Sequence, residues 1–280
     1  MSPPVETLAC GYGAVEGLRV STCGSLYFAD KANGGVYRRR PDGQIETVLA
    51  RRRRPGGVLL HADGGVVVSG AELIHFDGVR TRPLFCLPDV VGFNDLFADR
   101  QGRVYAGTLR TSSFRPTAGD RVPGDLWRID APGSATLLCD DLLLANGIGQ
   151  SPDSSTLYVV DSTRRQILAF DLLEDGGLEN RRVFHQFDEG YPGGLAVDVE
   201  GGVWTAIYAR SAVVRVRADG TRGGSFQVPA RAVTSLCFGG PGNDELYVAS
   251  ADNADHPAKK GCIFRLPASV PGLPDRPARI

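Results

Sequence analysis

Three oxygen-bearing residues stand at matching offsets from three short apolar runs: Glu16 in AVEGLRV, Asn94 in GFNDLFAD and Asn146 in LANGIGQSPD. Glu16 lies ten residues before the dyad Leu26-Tyr27, Asn94 ten before Val104-Tyr105, and Asn146 eleven before Leu157-Tyr158. One carboxylate and two amide oxygens aimed at a common point form a hard, oxygen-only donor set. Such a set suits Ca2+ or another divalent cation, with backbone carbonyls and water completing the shell. A cation held there would polarise an ester carbonyl, and a neighbouring carboxylate would take a proton from water. Each residue alone has a plainer role, since Asn-Asp and Asn-Gly are turn dipeptides and Glu16 could be a surface residue. The shared offset is what joins them. In the other copies the same count lands on Gly56, Gly193 and Leu236, and Gly193, in YPGGLAVDVEGGVW, has no side chain to contribute.

The elements that must bring these residues together are short strands. Gly and Pro punctuate the chain, and between them lie runs rich in Val, Leu, Tyr and Phe with no sustained helical period. The dyads Leu26-Tyr27, Val66-Val67, Val104-Tyr105, Leu157-Tyr158, Val203-Trp204 and Leu246-Tyr247 are spaced by 40, 38, 53, 46 and 43 residues. A period of that size with several strands per unit marks a propeller. The expected fold is all-β: one six-bladed β-propeller over residues 1–280, with about four antiparallel strands per blade. Closing the ring requires the N-terminal segment to add a strand beside the last blade. The longest interval holds the insertion RTSSFRPTAGDRVPG, expected to be a rim loop. A propeller carries equivalent positions around one axis, so Glu16, Asn94 and Asn146 should converge at one mouth of the central channel.

Composition narrows the function. With 42% apolar and 22% charged residues and a formal net charge of −1, the chain reads as globular, with no field favouring nucleic acid or an anionic membrane. No secretory leader and no membrane-spanning run are evident. Cys10, Cys23, Cys86, Cys139, Cys237 and Cys262 form no C-x-x-C pair and are expected to be mostly buried free thiols in a reducing cytoplasm. The run Arg51 to Arg54 reads as a solvated inter-blade loop or a lid for an acidic substrate. No H-E-x-x-H or G-x-S-x-G motif is present. The proline-rich C-terminus is expected to end loosely. The expected partner is a small-molecule substrate, and the expected state a monomer or weak dimer.

Along nearly its whole length the sequence resembles the SMP-30/gluconolactonase/LRE family, six-bladed propellers that include calcium-dependent lactonases. VEGLRV matches a GEGP segment carrying a metal-ligand Glu. FNDLFADRQGRVYAGT, ANGIGQSPDSSTLYVVDS and VTSLCFGG match three further family segments. The resemblance implies a metal on Glu16, Asn146 and an aspartate of a PDG segment, with Asn94 close to metal or substrate. That segment is PGG here, so Gly193 takes the aspartate's place. In the family the aspartate also serves as base or nucleophile. A family Arg two residues before the first Asn is replaced by Gly92, which leaves Arg110, Ser112 and Arg115 of the insertion to line the mouth.

Losing a carboxylate beside a cation is a large change: a unit-charge pair about 4 Å apart at an effective dielectric of ~20 is worth roughly 4 kcal/mol. Candidate replacements are Asp188 and Glu189 upstream of Gly193, with Asp30 and Asp161 near the channel and His256 as a turn residue. Three functions fit: a metal-dependent hydrolase of lactones or related esters; a non-hydrolytic tailoring enzyme using amide electrophiles; or an inactive ligand-binding propeller. On the first, Gly193→Asp should raise lactonase activity.

Overall fold

The computed structural model describes residues 4–111, 122–251 and 260–280. Ser112, Arg115 and His256 lie outside the described residues. The strands follow the repeat. After β1 (Glu6–Tyr12), blade 1 holds β2 (Val15–Val20), β3 (Leu26–Asp30), β4 (Val36–Arg39) and β5 (Ile45–Leu49). Blade 2 holds β6 (Val58–Leu60), β7 (Val66–Val68), β8 (Leu73–Phe76) and β9 (Thr81–Phe85). Blade 3 holds β10 (Gly92–Ala98), β11 (Val104–Leu109), β12 (Gly124–Ala131) and β13 (Ser134–Leu142). Blade 4 holds β14 (Ala145–Gln150), β15 (Thr156–Asp161), β16 (Gln166–Leu172) and β17 (Leu178–Gln186). Blade 5 holds β18 (Tyr191–Val197), β19 (Val203–Tyr208), β20 (Ala212–Val216) and β21 (Arg222–Gln227). Blade 6 holds β22 (Val233–Gly239), β23 (Glu245–Ser250) and β24 (Gly261–Pro267), and β1 completes it as the outermost strand. The result is a six-bladed β-propeller of four-stranded antiparallel sheets, as the repeat predicts.

The apolar core is divided into six layers, one between each pair of neighbouring blades. Blades 2 and 3 meet through Leu59, Leu73, Phe93 and Leu96, and blades 5 and 6 through Trp204, Val213, Leu236 and Phe264. Inner strands are therefore buried on both faces, whereas an outer strand such as β17 is largely exposed. That difference explains why the dyads stand out in the sequence and the outer strands do not.

The inner strands share one irregularity. Register shifts fall between Glu16 and Arg19, Phe93 and Leu96, Ala145 and Ile148, Pro192 and Leu195, and Val233 and Ser235. A bulge re-aims the side chain it carries. Here it does so at the start of five inner strands, on the residues that ring one end of the channel.

The other end is covered. Past β24 the chain crosses the far face: Gly272 N donates to Asn243 O, Leu273 N to Val197 O, Ala278 N to Leu60 O and Arg279 N to Gly102 O. Ala278 and Ile280 are buried, and the Ile280 carbonyl accepts from Arg82 and lies 3.0 Å from His61 Nε2. The C-terminus is thus docked, contrary to the loose end its prolines suggest. The segment is held by backbone bonds to blades 6, 5, 2 and 3.

The cysteines also depart from expectation. Cys10 and Cys262 face each other across β1 and β24 and form a disulfide, while among the other four only Cys237 is buried. The bond joins residues 252 apart in sequence, at the one seam where the ring could open, and it removes the free-thiol argument for a reducing compartment. Replacing both cysteines by Ser, or reducing the bond, is expected to lower stability by about 2–4 kcal/mol and the melting temperature by roughly 5–15 °C, read by calorimetry with and without reductant.

Candidate active site

Glu16, Asn94 and Asn146 hold equivalent positions at the starts of their inner strands: Asn94 and Asn146 fall within the register shifts of β10 and β14, whereas Glu16 is still paired with Ala29, just before the shift in β2. With Gly56, Gly193 and Thr234 they form the ring of six first positions. The blade-6 member is Thr234, not Leu236. The hairpin after Phe238 spans seven residues (239–245) against five (21–25) after Val20, so counting ten back from the dyad stops two residues short. Leu236 lies one layer deeper, in the core.

Side chains link the ring around its circumference. Thr234 Oγ1 donates to Val15 O at 2.5 Å. Asn94 Nδ2 donates to Ala145 O at 2.9 Å. Asn146 Nδ2 donates to Ser162 Oγ at 3.1 Å, and Ser162 Oγ in turn donates to Pro192 O at 2.6 Å. The two amides and two hydroxyls therefore couple neighbouring blades as well as lining the mouth.

The residue that sequence reasoning missed is Lys31. It follows Asp30 at the end of β3, where its N–H donates to Ala14 O at 2.8 Å. Ser162 occupies the equivalent place after Asp161, with its N–H on Leu144 O at 3.0 Å. Counting five residues forward from Leu26 and from Leu157 reaches this second ring, a signal available to the method that found Glu16. Lys31 is 7% exposed and its Nζ donates to Asn94 Oδ1 at 2.6 Å. Asn94 belongs to blade 3, and the intervening blade 2 has Gly56 at its first position and Ala71 at the place of Lys31. A Cβ on Gly56 would stand 3.0 Å from Asn94 Oδ1, the atom that accepts from Lys31.

Burial governs the electrostatics. It pushes the Glu16 carboxyl up to about 7, opposed by Lys31 and assisted by Asp95. It also pulls the Lys31 ammonium below its ordinary range, opposed by Glu16 and Asp95 and assisted by Arg54. Asp95, buried one residue beyond Asn94, lies 3.8 Å from Arg19, which also reaches Asp275 at 3.7 Å. A line of alternating charges thus runs down the axis from Lys31 and Glu16 to the covered end. The cavity there, about 80 Å³ and lined in part by Arg19, Cys237 and Asp275, falls well short of the roughly 300–1,000 Å³ of ligand sites. The ring at Glu16 is the candidate site.

The candidate replacements for the missing aspartate do not reach it. Asp188 and Glu189 are exposed, and Glu189 pairs with Arg210 at 2.6 Å. Asp30 binds the backbone N–H groups of Gly13, Ala14, Ala32 and Asn33, and Asp161 those of Leu143 and Leu144. Arg110 is held by Asp125 at 2.7 Å. Gly92 touches Gly70, where a Cβ would stand 2.4 Å from Gly70 O, so no arginine could occupy that place.

Do these residues fit a divalent cation? Glu16 is the ring's sole carboxylate, Asn94 Oδ1 is taken by an ammonium, and Gly193 supplies no donor. Among the described residues no three His, Cys, Asp or Glu side chains cluster to hold a metal. An ammonium about 4 Å from a divalent ion would repel it by roughly 8 kcal/mol at an effective dielectric of ~20. The donor set does not fit.

The fold is a six-bladed propeller with a buried, charged ring at one end of its axis. The chain belongs to the SMP-30/Gluconolactonase/LRE-like family, whose model matches residues 15–252. It is 31% identical over 266 residues to a pentonolactonase of Haloferax volcanii, covering 89% of each chain. To regucalcin of Danio rerio it is 32% identical over 247 residues, covering 82% of each. A solved luciferin-regenerating enzyme shares the fold with a TM-score of 0.90 at 23% identity, covering 99% of this chain and 100% of the other.

Gly193 is not an empty corner. A Cβ there would stand 2.3 Å from Thr234 O, a backbone atom of the next inner strand. Restoring the aspartate is therefore not the simple gain the sequence suggests. Gly193→Ala and Gly193→Asp are each expected to cost about 1–3 kcal/mol of stability through overpacking, measured by thermal or denaturant unfolding. Wild-type stability in Gly193→Asp would show that Thr234 yields.

Proposed function

We propose that the chain hydrolyses a lactone, or a closely related small cyclic ester, at the Glu16 mouth. Family membership and the lactonase named among its relatives support the reaction class. The observation that carries the reading is the buried carboxylate of Glu16, alone in the ring and under the influence of Lys31, whose ammonium donates to Asn94. In this reading Glu16 takes a proton from water as the water oxygen bonds to the ester carbon. The ring C–O bond then breaks, Glu16 returns the proton to the departing oxygen, and a hydroxy acid leaves. Asn146 and Ser162 would orient the substrate's hydroxyl groups, and Arg54 adds positive potential near the entrance.

The test is a panel of five- and six-membered sugar lactones followed by acid release in a pH-stat. Wild-type protein should turn over at least one of them. Glu16→Gln should lower kcat by about 100-fold or more, the span of a lost general base, while remaining folded. Full activity in Glu16→Gln would remove the carboxylate from the mechanism.

A further inference from the structure

We propose that the Lys31 side chain is the resident cation of this mouth: its nitrogen supplies the positive charge that stabilises the developing oxyanion, so the site works without a divalent metal. The inference rests on the hydrolytic reading of the same site and gives that reading its electrophile.

Three observations carry it. First, the placement of Lys31 is costly and specific. A lysine is rarely this buried unless it is paired, and here the chain leads it from the end of β3 across a neighbouring blade to Asn94 Oδ1 at 2.6 Å. Second, its path is kept open. Gly56 carries no side chain on the intervening blade, and a Cβ there would crowd the acceptor itself. Third, the charges balance as a one-to-one set. Glu16 supplies one negative charge at the ring and Lys31 one positive charge. Gly193, closed against Thr234, leaves no room for the second carboxylate that a divalent ion would call for.

A cation fixed in a water-poor mouth needs no reorganisation as negative charge builds on a carbonyl oxygen, which is the condition under which such groups contribute most. The step balances without a co-reactant. Water adds to the carbonyl carbon, its proton passes to Glu16, and the electron pair displaced onto the carbonyl oxygen stays there as an oxyanion whose charge the Lys31 ammonium stabilises. The pair returns as the ring bond breaks and the departing oxygen takes the proton from Glu16.

The experiment has an arm that does not depend on activity. Protein stripped with EDTA is titrated with Ca2+, Mn2+ and Zn2+ and followed by melting and by calorimetric heat. At about 1 mM metal the melting temperature should move by less than about 1 °C, with no saturable heat. Saturable stabilisation that Glu16→Gln abolishes would overturn the inference, whatever the substrate proves to be. The second arm uses a lactone that wild type turns over. EDTA should leave the rate within about twofold of untreated enzyme, and Lys31→Met should lower kcat by about 100-fold or more. Alkylating Lys31→Cys with bromoethylamine, which rebuilds a side-chain amine, should recover activity. A rate lost on chelation and restored by Ca2+, or full activity in a folded Lys31→Met, would refute it. Should Lys31→Met fail to fold, the metal titration of wild type decides. If no lactone is turned over at all, the hydrolytic reading fails, while the titration still reports on the cation.

Discussion

Ring closure is the constraint on which the rest of this structure depends. Six inner strands share one axis, so the first residue of each enters the same small volume as the other five. No member of that ring can be chosen alone. Gly56 is small where Asn94 and the lysine from blade 1 need the space, and Gly193 is small where Thr234 O comes within van der Waals reach. Polar members are tied to the next blade: Thr234 to Val15, Asn94 to Ala145, and Ser162 to Pro192. These bonds satisfy carbonyls that the bulges release from the sheet ladders. The mouth is therefore also part of the seam between blades, and substitutions there act on stability and chemistry together.

Closure also sets the electrostatics. The charged side chains of Lys31, Glu16, Asp95 and Arg19 along the axis are buried, and a buried charge must find a partner nearby. The sequence along the axis meets that demand by alternation: Lys31 with Glu16, then Asp95 with Arg19, then Asp275. Arg19 is further tied to the Leu18 and Leu96 carbonyls, each at 2.6 Å. Substituting a neutral residue at any rung leaves an uncompensated buried charge on its neighbour. That explains how Lys31 can be held at the mouth although burial works against its ammonium.

The blades were readable in the sequence because their inner strands are buried on both faces and their dyads recur at a near-constant period. Glu16, Asn94 and Asn146 were readable for the same reason. The method failed where hairpin length varied, placing Leu236 in the ring instead of Thr234. The forward offset that points to Asp30 and Asp161 stops one residue before Lys31 and Ser162, the pair that forms the second ring. The Cys10–Cys262 bond was hidden because its register depends on which strand closes the ring, a tertiary fact that spacing does not encode. The docked C-terminus was hidden for a related reason: its contacts are one or two backbone bonds to each of four blades, with no periodic pattern to reveal them.

Lys31 and Gly193 sit on blades 1 and 5, yet the geometry makes them parts of one arrangement. With a single carboxylate in the ring, a monovalent cation neutralises the mouth, and a divalent one would leave it positive beside Lys31 and Arg54. With Lys31 in place, a second carboxylate has no cation left to serve, and the inner strands of blades 5 and 6 can approach until only glycine fits between them. Each feature thus relaxes the constraint that would otherwise preserve the other. Their energetic effects should be non-additive in the manner of residues sharing a site. A variant carrying an aspartate at Gly193 alone would meet both a steric barrier and an ammonium already pairing with Glu16. Converting this mouth to one that holds a divalent ion requires changing the lysine and the blade 5–6 contact together.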